Sequence, residues 1–205
     1  MGAEGRKMDW NADTWNLFLT CTMFSLFAGL LCDMAMRRYL KETEELHMTA
    51  GIGMAVTAVF IGIHGFTPAA LRCVLLCHVL MLAGAADIAT REIPDAFHLL
   101  IAMAGLIGFQ PVPALLGVLL VPLPFLIAAL KTGKIGGGDV KLMAASGFAL
   151  GVSGGFRMMF WGLLMALLWN ASMRKGRQNT SLGKGSLPLA PFLAFGCFVV
   201  LLPVS

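Results

Sequence analysis

Two aspartates stand where apolar runs of this chain meet polar connections. Asp139 follows three glycines in Lys134-Ile135-Gly136-Gly137-Gly138-Asp139-Val140-Lys141-Leu142, and the apolar run Leu142 to Leu150 comes directly after. Asp87 ends another long apolar run and is followed by Ile88-Ala89-Thr90-Arg91-Glu92-Ile93-Pro94-Asp95. An ionisable group at the edge of a membrane segment is costly, so it is read first as functional. Two carboxylates sharing one proton could hydrolyse a peptide bond. The ionised one would take a proton from water, and the protonated one would polarise the scissile carbonyl. Glycines put no Cβ in the way, so the backbone before Asp139 is free to press against a substrate strand or a neighbouring span. The competing reading of that stretch is an ordinary glycine-rich loop with an N-capping Asp.

The elements that would position these acids are membrane helices. Of 205 residues, 58% are hydrophobic and 13% charged, with mean hydropathy +0.82; a soluble domain has about a quarter of its residues charged. The expected fold is all-α: a polytopic membrane protein of about eight transmembrane helices, forming one domain over residues 1–205. The expected spans run from about Asn16 to Met36, Met48 to Phe66, Ala69 to Ala86, Asp95 to Phe109, Ala114 to Leu130, Asp139 to Gly151, Phe156 to Met173 and Leu187 to Val204. Pro94 suits the first turn of the fourth, where its missing N–H costs nothing. Pro122 and Pro124 predict a kink in the fifth. Gly151 to Gly155 reads as a small-residue turn, and the sixth span is short for a full bilayer. The N-terminal segment, with Glu4, Asp9 and Asp13, does not read as a cleavable signal peptide.

Charge gives an orientation. Arg37, Arg38, Lys41, Arg91, Lys131, Lys134, Arg174, Lys175, Arg177 and Lys184 all fall in the first, third, fifth and seventh connections. The even connections hold almost no basic residues, although Arg72 and Arg157 sit just past two of them. The positive-inside rule then puts the odd connections in the cytoplasm and both termini outside. Asp87 and Asp139 fall on the same, cytoplasmic face, although no acid entered that argument. The net charge of +4 follows from this loop pattern and implies no nucleic-acid partner.

Together, D-x5-I-P and G-x-G-D resemble the two active-site motifs of the type IV prepilin peptidase family, membrane aspartic proteases of the GxGD class. Leu187-Pro188-Leu189-Ala190-Pro191-Phe192-Leu193-Ala194-Phe195-Gly196 resembles that family's closing proline-containing helix. The resemblance covers roughly residues 68 to 200. It implies Asp87 and Asp139 as catalytic residues, supported by Ile93, Pro94, Gly136, Gly138 and Lys141. It implies a pilin-like precursor as substrate, cut at the cytoplasmic face of the cell inner membrane, with no cofactor. Where the family pattern has Asn after Ile-Pro, this chain has Asp95, which puts substrate contacts there in doubt. The paired C-x-x-C motifs of the bifunctional members are not found in this sequence, so the resemblance is to the short, stand-alone members that only cleave. Two other readings compete: a small ion- or proton-coupled transporter, weakened because no internal repeat relates the two motifs, and a non-catalytic membrane subunit of a secretion assembly.

The remaining polar residues have structural readings. Lys141 either shifts the balance at Asp139 or snorkels to the interface. His78 is nine residues before Asp87, on nearly the opposite helix face, and suits a helix-packing hydrogen bond. His98 shares a face with Asp95, but no third ligand accompanies them, so no metal is expected. Asp33 and Arg37 suit an i, i+4 ion pair. Cys21, Cys32, Cys73, Cys77 and Cys197 all lie in apolar runs and read as packing residues.

Overall fold

Proline and glycine set many of the helix boundaries. The structure is a computed structural model and describes residues 11–40, 47–133, 135–176 and 188–202. The charged stretch Lys41 to Glu45, Lys134, Arg177, Lys184 and Leu187 lie outside the described residues, as do the side chains of Asp33, Arg37, Arg38, Arg174 and Lys175. The elements are α1 (Ala12–Leu40), α2 (His47–His64), α3 (Pro68–Thr90), α4 (Asp95–Gly105), α5 (Pro111–Leu120), α6 (Leu123–Thr132), α7 (Gly137–Gly176) and α8 (Ala190–Leu201). No strand occurs among the described residues, so the all-α expectation holds.

Thr67 caps α3, its hydroxyl accepting from the Ala70 amide at 3.2 Å, with Pro68 next. Pro94 is the N-cap residue of α4, one position before the first turn where it was expected. The prolines of the fifth apolar run interrupt it as anticipated: α5 stops at Leu120, and α6 begins at Leu123 with Pro122 as its N-cap. The turn expected over Gly151 to Gly155 is a single residue, Gly151, with φ 72° and ψ −177°. Only glycine adopts that conformation readily.

The chain folds back sharply at Gly151. Val121 lies against both Gly147 and Gly155. In a straight helix those two positions would be about 12 Å apart, too far for one valine to touch. Both arms of α7 therefore pack along α5. Breaking a helix leaves its last carbonyls without partners. Arg72 of α3 fills one of these vacancies, its guanidinium donating to the Ala149 carbonyl.

Small residues let the backbones touch. A Cβ on Gly117 would strike the Gly147 carbonyl, and one on Gly196 would strike the Met158 carbonyl and stand 2.8 Å from the Gly162 nitrogen. Between hydrocarbon-embedded helices, such close van der Waals approach supplies much of the association energy, because lipid removes the hydrophobic drive. Gly84 of α3 is also close to Pro191 of α8, whose Cα would stand 2.9 Å from a Cβ there. Cys73, Cys77 and Cys197 are buried in the same core, as the packing reading requires, whereas Cys21 is half-buried and the Cys32 side chain lies outside the described residues. Outward-facing positions such as Leu115, Leu119, Leu130 and Leu167 are apolar and exposed, which suits a surface solvated by lipid.

Three helical stretches among the described residues are long and apolar enough to cross a membrane: Pro68–Thr90, Pro111–Thr132 and Gly137–Ser172. Ala50–His64, Asp95–Gly105 and Ala190–Leu201 are shorter apolar helices. The eleven residues of α4 span only about 16 Å, short of the hydrocarbon thickness. This is an all-helical membrane protein, and eight full crossings is a finer statement than these lengths carry.

Candidate active site

Asp87 lies in the last turn of α3 and is 7% exposed. The helix ends just beyond it at Arg91, which takes the left-handed conformation (φ 60°, ψ 22°) and donates its N–H to the Asp87 carbonyl at 3.0 Å. Left-handed caps are usually glycine; here an arginine holds the place and carries a positive charge close to Asp87. The Asp87 side chain faces α8. Its Oδ2 accepts from the buried Ala190 N–H at 3.1 Å, with the Leu189 amide close by. These amides are free because they open a helix, and the positive end of that helix favours a carboxylate.

Asp139 sits in the first turn of α7, half-buried, and its N–H donates to the Gly136 carbonyl at 3.2 Å. It is close enough to Asp87 for the two carboxylates to act on each other electrostatically. The fold thus brings together two acids that are far apart in sequence. Ile93 packs on Gly138, its Cβ 3.5 Å from where a glycine Cβ would stand. Pro94 begins the helix beside it. Lys141 donates to Asp95 Oδ1 at 2.8 Å, and the pair is 59% and 77% exposed respectively. All seven residues singled out from the sequence therefore lie at one end of the bundle.

The glycines hold a correction. Gly136, Gly137 and Gly138 do not have positive φ. A Cβ at Gly137 would meet nothing within 4 Å, and one at Gly136 only the Asp139 side chain and the Gly138 nitrogen, at 3.8 Å or more. Close approach to a neighbouring helix is therefore not what requires them. The crowding is found at Gly117, Gly147 and Gly196 instead.

Two further residues join the site. Ala190 contributes only its backbone, and the sequence signal was the proline pair around it, which frees helix-opening amides. His98 donates from Nε2 to the Gly138 carbonyl at 3.1 Å, a partner 40 positions away that no local spacing reveals. His78 does what its position suggested: it bonds Ser25 at 2.9 Å and the Val74 carbonyl at 2.8 Å, away from the acids. Ser25 in turn accepts from Thr57 at 2.8 Å. Among the described residues no three His, Cys, Asp or Glu side chains form a metal-holding group.

A helical membrane protein with two interacting aspartates at one end is the class this geometry defines. The sequence model of the type IV leader peptidase family matches residues 74–171, a stretch holding both aspartates. Across that stretch the chain is similar to the type IV leader peptidase family, the resemblance that the two aspartyl motifs carried. It is similar to the prepilin leader peptidase/N-methyltransferase of Bacillus subtilis (strain 168), at 38% identity over 77 residues. The overlap covers 37% of this chain and 30% of that relative. No solved structure matches the chain.

Proposed function

We propose that this protein is a membrane aspartic endopeptidase that removes the leader of pilin-like precursors, with Asp87 and Asp139 as its catalytic carboxylates. The observation that carries the reading is the convergence of these two acids at one end of the bundle, within electrostatic reach of each other. Water attacks the scissile carbonyl as one carboxylate takes its proton. The other, protonated, polarises that carbonyl; the C–OH bond forms first, and the C–N bond of the resulting tetrahedral adduct breaks as a carboxyl protonates the departing amine. Neighbouring like charges resist ionising together, so one shared proton is the natural state of such a pair.

The open space over Gly136 and Gly137 supports an extended substrate segment beside Asp139. The described ends of the third, fifth and seventh connections meet at the acidic end of the bundle, where Asp87 reaches Ala190 and Ile93 reaches Gly138. With the lysine and arginine pattern, this supports an eight-span arrangement with the site at the cytoplasmic face and both termini outside. A leader peptidase activity in the Bacillus subtilis relative agrees with the substrate class.

One observation favours a second reading. Asp87 caps α8, so the carboxylate could be structural and the chain a non-catalytic membrane subunit. Co-expression with a pilin-like precursor, followed by N-terminal sequencing of the product, separates the two. A new N-terminus at the leader junction that depends on both aspartates supports the peptidase. An uncut precursor beside abundant, folded protein overturns it.

A further inference from the structure

We propose that His98 is the positioning residue of this site: through the Gly138 carbonyl it fixes the first turn of α7, and so the Asp139 carboxylate, relative to Asp87. The inference rests on the peptidase reading for its effect on rate and on geometry alone for its effect on the loop.

Asp139 is preceded by three glycines, the most permissive backbone available, and the packing around Gly136 and Gly137 is open. Something outside the loop must set where it stops. Two links reach it from α4. One is the Lys141–Asp95 ion pair, 2.8 Å long but largely exposed at both ends; such pairs cost side-chain entropy and hold little. The other is His98 Nε2 to the Gly138 carbonyl at 3.1 Å, made by a side chain only 11% exposed. A carbonyl can only accept, so Nε2 must carry a hydrogen and donate it. The imidazole has few rotamers and is confined by its burial. Its Nδ1 also stands 3.4 Å from the exposed Asp95 Oδ1 but makes no hydrogen bond, so among the described residues the Gly138 carbonyl is the ring's one hydrogen-bond partner. The residue accepting this bond is next to Asp139, so a shift at Gly138 moves the carboxylate directly.

The test compares wild type with His98→Leu, His98→Gln and Lys141→Met in native-like membranes. Misplacing a reacting group by about 1 Å costs on the order of a hundredfold. His98→Leu should therefore lower kcat for precursor cleavage about 30- to 100-fold, with KM changed less than about threefold. His98→Gln keeps an N–H donor near the same place and should recover most of the rate. Lys141→Met should lose less than His98→Leu. Hydrogen exchange of the peptide covering 133–143 is read in the same samples. It should quicken in His98→Leu but not in His98→Gln, whether or not any precursor is cut. Equal loss in the Leu and Gln variants, or exchange in His98→Leu that matches wild type, overturns the proposal. Wild type that cuts no precursor overturns the peptidase reading instead, and the exchange comparison still decides for or against His98.

Discussion

The Asp87 carboxylate accepts a hydrogen bond from the Ala190 backbone N–H, 3.1 Å away and 103 positions later in the chain. This contact joins the end of α3 to the start of α8 and puts a buried acid on a helix N-terminus. It also gives Asp87 two separable duties. The expected outcome is that Asp87→Asn keeps the fold, because the amide oxygen still accepts, but abolishes cleavage, because an amide is no base. Asp87→Ala should in addition lose about 1–3 kcal/mol of stability, the cost of a buried N–H left unpaired. Thermal melting in detergent beside a precursor-cleavage assay reads both. Cleavage at the wild-type rate by Asp87→Asn would leave the carboxylate only its capping role.

Glycines with opposite surroundings should respond in opposite ways. Gly196→Ala would drive a methyl group into the Met158 carbonyl and should cost about 1–3 kcal/mol, the range for an overpacked interior. Gly137→Ala meets open space and should leave the melting temperature unchanged or slightly raised, since alanine is the better helix former. If that space receives the substrate, Gly137→Ala should nonetheless raise KM several-fold. Cleavage kinetics and melting on the two variants check the pair of outcomes, and a normal KM in Gly137→Ala would remove the substrate from that face.

Much of this was legible because the residues involved obey local rules. The helices follow from long apolar runs cut by proline and glycine, and the break before Pro122 could be placed to within two residues. The acids were visible because a carboxylate beside a membrane segment needs a reason. What stayed hidden depends on distant contacts. Nothing in the sequence marks Gly117 and Gly196 as points of close approach, yet Gly147 and Met158 stand against them. The glycines before Asp139 invited the opposite error, since their flexibility was visible but the empty space around them was not. Arg91 gave no sign of its left-handed backbone, a conformation that glycine would ordinarily supply.

Orientation is testable without any substrate. Single cysteines at Lys131 and Gln110, both exposed, flank the Pro111–Thr132 stretch and should label from opposite sides of the membrane. The lysine and arginine pattern puts position 131 in the cytoplasm. A membrane-impermeant maleimide applied to intact cells should therefore modify position 110 and leave 131 untouched until the cells are opened. Labelling at 131 from outside would reverse the scheme and move Asp87 and Asp139 to the other face.

The two acids should behave as a unit rather than as neighbours. Asp139→Asn keeps the size and hydrogen-bonding capacity of a side chain in the first turn of α7, so abundance and melting should match wild type. Cleavage should fall by at least about a thousandfold, the scale seen when one member of a catalytic unit is removed. Once either carboxylate is gone, no proton can be shared, so removing the other has nothing left to abolish. The Asp87→Asn/Asp139→Asn double variant should therefore cleave no more slowly than the worse single one. The measurement is single-turnover cleavage of a pilin-like precursor by the two single variants and the double variant at matched abundance in membranes. Losses that multiply would mean that the two carboxylates act independently, one for instance as the cap of α8 and the other as a contact for the substrate, and the shared-proton mechanism would be wrong.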